Sequence, residues 1–312
     1  MREEQKELLQ EEDGVSLGKY TLLKPLGQGG EGSVFLARDE CLQRYVAIKR
    51  VCMAEEDREA EQDEEREQGL KERSNKGMRE AEHLRQLRHP MLPVIFDLFE
   101  DDRGARYLVM EYIQGMTLED YIERNGSVQE KQARIWGEEL SEILGYLHTR
   151  KPPVIYRDLK PRNVIVCPDG HLRLVDFGAA DRKNYGAAAE NRMAFTPGYG
   201  APEQYGRNGQ SIRADERSDI YALGMMLYYM VTGADLAKPP YTALSVQEYQ
   251  PLLGDGIEEI IRRCIREDPA ERYQLAEEVR EDLARYESCG RHRRRPPFIR
   301  NVEKQIWLTE MK

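Results

Sequence analysis

The residues best equipped for chemistry lie in one run, Tyr156-Arg157-Asp158-Leu159-Lys160-Pro161-Arg162-Asn163, followed after a short strand-like stretch by Asp176-Phe177-Gly178. Phosphoryl transfer asks for a carboxylate that accepts a hydroxyl proton, a cation that neutralises the moving group, and oxygen ligands for a hard divalent metal. Asp158 can be the base, Lys160 the cation, and Asn163 with Asp176 the metal ligands. An Asp-rich turn followed by an unrelated Asp-Phe-Gly turn is the plain structural alternative. The order and spacing of the whole set argue against it.

Upstream, Gly27-Gln28-Gly29-Gly30-Glu31-Gly32-Ser33-Val34 sits between two strand-like stretches. Glycines let backbone N–H groups approach phosphate oxygens and tolerate positive φ, although a flexible hairpin turn would use them equally well. A dinucleotide-binding loop would be followed by a helix; here a strand follows. Val46-Ala47-Ile48-Lys49 comes next. A lysine ending an apolar strand is commonly a solvated terminus, but this one follows the glycine run at the distance a phosphate clamp needs. It would require a carboxylate to orient it. Glu80 is the candidate, on a helix expected over Met78–Arg88 with Leu84 one turn on along the same face; Glu82 falls on another face.

The elements that must position these groups follow from periodicity. Tyr20 to about Val51, Val94–Phe99 and Tyr107–Tyr112 read as strands of a twisted antiparallel sheet. Helices are expected at Ala133–His148, Ile220–Val231 (apolar on all sides, hence buried), Ile257–Ile265 and Leu275–Tyr286. The implied α+β organisation is a charged segment 1–19, a sheet-rich lobe 20–112, a helical lobe 113–288 and a basic tail 289–312. A short connector near Glu111–Gly115 would leave a cleft between the lobes, a usual ligand location. Residues 54–77 hold almost nothing apolar and form an acidic, solvated insert, or else a dock for a basic partner.

With these motifs in place, the chain resembles the eukaryotic-like (Hanks-type) serine/threonine protein kinases from about Tyr20 to Tyr286. Ala201-Pro202-Glu203, Asp219 in Ser-Asp-Ile-Tyr-Ala-Leu-Gly and Arg272 in Asp-Pro-Ala-Glu-Arg-Tyr agree. The resemblance implies the two-lobed kinase fold and transfer of the ATP γ-phosphoryl group to protein hydroxyls. It implies a Glu203–Arg272 ion pair, Asp219 anchoring the catalytic-loop backbone, and Thr196 bridging Asp158 and Lys160. It places nucleotide against Leu26, Gly27, Gln28, Gly29, Gly30, Gly32, Val34, Ala47, Lys49, Met110, Glu111, Ile113 and Ile165, with Mg²⁺, or Mn²⁺ in its place, on Asn163 and Asp176. The catalytic set is Asp158, Lys160, Lys49, Glu80 and Thr196. Lys160 and Thr196 follow the serine/threonine pattern rather than the tyrosine one, and Ala-Pro-Glu-Gln-Tyr is similar to bacterial members. A pseudokinase would lack a catalytic part, and small-molecule phosphotransferases generally lack the Ala-Pro-Glu segment and the Thr196 neighbourhood; here all are present.

Two departures stand out. Tyr156 replaces the more frequent His, in a packing role against Phe177 that an aromatic can fill. Between Gly178 and Phe195 there is no Ser or Thr, only the hydroxyl of Tyr185, so the usual phosphorylated partner of Arg157 is missing. Glu190 or Asp181 is expected to stand in for it. Autophosphorylation elsewhere, at Ser16, Ser74 or Thr117, stays open. The net charge of −10 disfavours nucleic acid as a partner, while Arg291, Arg293–Arg295 and Arg300 give the tail a solvated arm or a contact for anionic surfaces. Five scattered cysteines without a CxxC pair read as reduced thiols, and no apolar run is long enough to span a membrane, so the expected location is the cytoplasm.

Overall fold

The computed structural model describes residues 16–29, 32–52, 85–101, 105–177, 180–182, 196–205, 214–235, 237, 242–243, 245–250, 255–285 and 300–301. The chain divides into two compact units, Met1–Ile113 and Gln114–Lys312. The acidic insert and Met78–Leu84 of the expected Met78–Arg88 helix lie outside the described residues; Arg85 and Gln86 are helical, and Leu87 and Arg88 are not.

The first unit carries a six-stranded sheet of β1 (Ser16–Leu17), β2 (Tyr20–Gly29), β3 (Gly32–Asp39), β4 (Arg44–Cys52), β5 (Ile95–Glu100) and β6 (Arg106–Glu111). The strand order is β1-β2-β3-β4-β6-β5 and every pair is antiparallel. Asp39 closes the β3–β4 hairpin by accepting from the N–H groups of Cys41 and Leu42, both at 3.1 Å, as a short acidic side chain does at a turn. Alternation then sorts the side chains. Ala37, Val46, Ile48, Tyr107 and Val109 share one core with Tyr20, where Phe99 stacks on Tyr20 and on Tyr107 with centroids 5.6 and 5.3 Å apart. Pro25, which cannot donate to a ladder, sits at an irregularity of β2.

The second unit is mainly helical. A three-stranded sheet is formed by β7 (Met116–Thr117), β9 (Val164–Val166) and β10 (Leu172–Leu174), in the order β10-β9-β7; β8 (Val154–Ile155) pairs with β11 (Asp181–Arg182), and β12 (Thr242–Ala243) with β13 (Arg300–Asn301). Helix α1 (Leu118–Asn125), for which the periodicity gave no expectation, starts where Thr117 Oγ1 accepts from Asp120 N at 3.0 Å. It is too short for apolar spacing to register. Helix α2 (Glu130–His148) begins ahead of the expected Ala133, because its polar first turn carries no apolar signal.

Helix α3 (Glu216–Thr232) is buried from Ser218 to Val231 and opens with a reciprocal capping box between Asp215 and Ser218. Gly224 lets it approach its neighbours: a Cβ there would lie 2.5 Å from Cys264 Cβ and 2.7 Å from Ile265 Cγ2. A short α4 (Val246–Tyr249) follows, and α5 (Asp255–Cys264) and α6 (Ala276–Arg285) complete the helices. The α+β fold class expected from the sequence is the one found, with an antiparallel sheet in the first unit and helices in the second. No helix among the described residues is long and apolar enough to cross a membrane.

Candidate active site

Asp158 is buried, and each of its carboxylate oxygens is engaged. Lys160 Nζ lies 2.7 Å from Oδ2, Thr196 Oγ1 donates to Oδ1 at 2.8 Å, and Lys160 Nζ donates to Thr196 Oγ1 at 3.1 Å. The threonine therefore joins carboxylate and ammonium in one triangle. Asn163 Nδ2 adds bonds to the Asp158 carbonyl at 2.9 Å and to Oδ2 at 3.1 Å. Charge-assisted bonds of this kind are short and strongly oriented.

The backbone beneath is fixed as firmly. Arg157 has φ +68°, a left-handed conformation that a non-glycine residue keeps only when its surroundings hold it. Asp219, fully buried in the first turn of α3, supplies that hold. Its Oδ1 accepts from Arg157 N at 2.7 Å and its Oδ2 from Tyr156 N at 2.8 Å. His148, the last residue of α2, places Nε2 2.8 Å from the same Oδ2. His148 carried no sequence signal of its own. Gln204 is a second unanticipated contact: its Nε2 donates to Arg157 O at 3.1 Å, while its Oε1 accepts from Ala201 N at 2.8 Å.

Val175 and Asp176 follow the β9–β10 hairpin, whose tip is pinned to α2 by Trp136 Nε1 donating to Gly170 O and by Glu139 accepting from Leu172 N. Asp176 also has a left-handed φ, +64°. Tyr156 edges against Phe177 with centroids 5.0 Å apart and donates its hydroxyl to Val175 O at 2.6 Å. On the other side of β9, Gly115 has φ +153°, and a Cβ there would stand 2.3 Å from Val166 O and 2.6 Å from Ile165 Cγ2. Only glycine allows the chain to pass so close to Ile165.

The donor set fits a hard cation. Because Asn163 spends its Nδ2 on Asp158, its amide oxygen is the atom it would turn to a cation, and Asp176 is the second oxygen donor expected from the sequence. Among the described residues no group of three or more His, Cys, Asp or Glu is suited to a metal. A cation held here would complete its shell with water and phosphate oxygens.

The first unit holds its own candidates on one sheet face. Val34 pairs with Lys49, Leu36 with Ala47, Ala47 with Met110 and Lys49 with Leu108, so these side chains are co-facial and opposite to the Tyr20 core. Lys49 is 4% exposed. Glu111 N donates to Val94 O at 2.8 Å, and Ile113, two residues on, ends the first unit. Leu26 and Gly27 are exposed, and Gln28, Gly29 and Gly32 lie at the β2–β3 turn. Gly30, Glu80, Tyr185 and Glu190 lie outside the described residues.

A buried ion pair locks the segment that carries Thr196 and Gln204. Arg272 binds both oxygens of Glu203, at 2.7 and 2.8 Å, and caps the carbonyls of Arg217, Arg266 and Glu267. Ser218 Oγ also donates to Glu203, at 2.8 Å. Nearer Thr196, Tyr199 donates its hydroxyl to Asp235 at 3.1 Å; burial first, then the nearby Asp235 charge, hold that phenol protonated well above its ordinary range.

The model of the protein kinase domain matches residues 20–296. The chain is 32% identical over 280 residues to the serine/threonine-protein kinase PrkC of Bacillus subtilis, covering 85% of this chain and 40% of that protein. It is 31% identical over 312 residues to the serine/threonine-protein kinase PknB of Mycobacterium tuberculosis, covering 93% of this chain and 46% of that protein. It thus spans less than half the length of these curated relatives. Both are bacterial. The match over 20–296, together with the sheet-bearing first unit and the helical second, shows that this chain belongs to the protein kinase family, whose members use ATP and a divalent metal.

Proposed function

We propose that this chain is a serine/threonine protein kinase that transfers the γ-phosphoryl group of ATP to protein hydroxyls in a Mg²⁺-dependent reaction, with Mn²⁺ as an alternative metal. The observation that carries the proposal is the Asp158 carboxylate held between Lys160 and Thr196. Asp158 accepts the proton of the incoming hydroxyl, and its orientation, fixed from both oxygens, keeps it within hydrogen-bond reach of that group. Lys160 offsets negative charge on the phosphoryl oxygens. Lys49, oriented by Glu80, holds the α- and β-phosphates, while Asn163 and Asp176 hold the metal. A metal held by Asn163 and Asp176 would supply neutralisation of charge on the phosphates. Val34, Ala47, Met110 and Ile165 pack on adenine, with Glu111 and Ile113 supplying backbone bonds.

The enzyme autophosphorylates, acts in the cytoplasm where ATP is abundant, and keeps its activation segment ordered without Ser or Thr phosphorylation, Glu190 or Asp181 taking the place of a phosphate opposite Arg157. Two measurements test this. Radiolabelled ATP with Mg²⁺ should label a basic protein such as histone but not an aminoglycoside, and label on the aminoglycoside alone would end the proposal. Phosphate mapping of active enzyme should leave Tyr185 unmodified; a stoichiometric phosphate there on which activity depends would refute the carboxylate substitution.

A further inference from the structure

The segment from Thr196 to Gln204 touches the catalytic loop at two points. Thr196 meets the Asp158 carboxylate. Gln204 meets the carbonyl of Arg157, the peptide group leading directly into Asp158.

The amide of Gln204 is anchored at both ends. Its oxygen takes the N–H of Ala201, the residue just ahead of its own 3₁₀ turn (Pro202–Tyr205), so its nitrogen is committed to Arg157. The two bonds together fix which end of the amide is which. Arg157 is the residue of the loop that most needs restraint, with φ +68°. Its N–H is already taken by Asp219 at 2.7 Å, and its C=O is taken by Gln204 at 3.1 Å. One restraint comes from the buried helix α3 and the other from the segment that ends the activation loop. Glu203, next to Gln204, is bound by Arg272 and Ser218, so Gln204 stands on a rigid base.

We propose that Gln204 is a positioning residue for the base: its side-chain N–H holds the Arg157–Asp158 peptide in its left-handed entry, and so couples the folded state of the Thr196–Tyr205 segment to the aim of the Asp158 carboxylate. A segment that loses its fold loses Thr196 from the carboxylate and Gln204 from the backbone together. The inference rests on the kinase reading for its catalytic consequence, but its structural core is independent of it.

The experiment compares wild type with Gln204→Met and Gln204→Glu. Both variants lack the N–H that Arg157 receives, and only Glu keeps the acceptor for Ala201. Expected is a fall in kcat of about tenfold in both, the cost of a slightly misaimed base, with nucleotide affinity by fluorescence titration and KM for protein substrate close to wild type in both. Melting temperature should stay close to wild type in Gln204→Glu, since Gln204→Met also leaves the buried Ala201 N–H without its acceptor. Hydrogen exchange of the Tyr156–Leu159 amides should quicken in both variants in the nucleotide-free protein. Unchanged kcat and unchanged exchange would overturn the proposal. So would a loss in Gln204→Glu that appears equally in nucleotide affinity or melting temperature, which marks a general structural role. Wild type that transfers no phosphate would sink the kinase reading, and the exchange comparison would still decide the Gln204 contact.

Discussion

The two units place their functional side chains by different means. In the first, Val34, Ala47, Lys49 and Met110 come to one face because neighbouring strands are in register and side chains alternate. In the second, Asp158 is aimed by side chains far along the chain: Thr196, 38 residues on, and Asp219, which reaches the neighbouring Arg157 across 62 residues. Register tolerates substitution, since a strand keeps its faces as long as the pattern persists. A point held by several converging hydrogen bonds does not, because each lost partner leaves a buried group unsatisfied. The comparison therefore predicts that single changes around Asp158 cost far more than single changes along the sheet.

The sharpest break is at the base itself. Asp158→Asn should lower turnover by about 10²- to 10⁴-fold, measured by steady-state phosphorylation with the melting temperature as control; a loss below tenfold would remove Asp158 from the role of base. Next comes the lock on its supporting segment. Arg272→Met leaves the Glu203 carboxylate buried without its cation and should cost about 3–5 kcal/mol in urea denaturation. Replacing both partners by apolar residues should recover much of that.

A smaller effect is expected at the close approach beside β9. Gly115→Ala must push Val166 and Ile165 aside at a cost of about 1–3 kcal/mol, and it should weaken ATP binding more than turnover, read from KM against kcat. The smallest lies on the surface. The bond to Glu139 raises the His171 pKa above its ordinary value of 6.5. The stabilisation it brings is therefore fully present below about pH 6.5 and is lost as pH rises through the raised value. An NMR titration should find the shift, and Glu139→Gln should abolish it while changing stability little.

How far the fold could be read in advance follows the same division. The strands and long helices were legible because alternation and 3.6-residue spacing leave an apolar trace, whereas α1 and the polar first turn of α2 leave none. Asp219, Glu203 and Arg272 were named through the family resemblance, and their bonds are those seen. His148 was not, and Gln204 entered only within Ala-Pro-Glu-Gln-Tyr with no role given to it, because a polar residue at the end of a helix or in a short turn has many ordinary uses.

What the sequence by itself determined is the chemical inventory and the order in which it occurs: a glycine-rich turn, a strand lysine, Asp158 two residues before Lys160, the oxygen-bearing Asn163 and Asp176, and a segment from Gly178 to Phe195 without serine or threonine. Those are properties of residue type and spacing, which the chain carries whether or not it is folded. Only the tertiary structure decided how Asp158 is held, with Asp219 and Gln204 gripping the two sides of Arg157 and Thr196 gripping the carboxylate of Asp158. Hydrogen bonds act over about 3 Å and have no periodicity along the chain, so contacts between residues dozens of positions apart exist only once the helices and segments that carry them have packed.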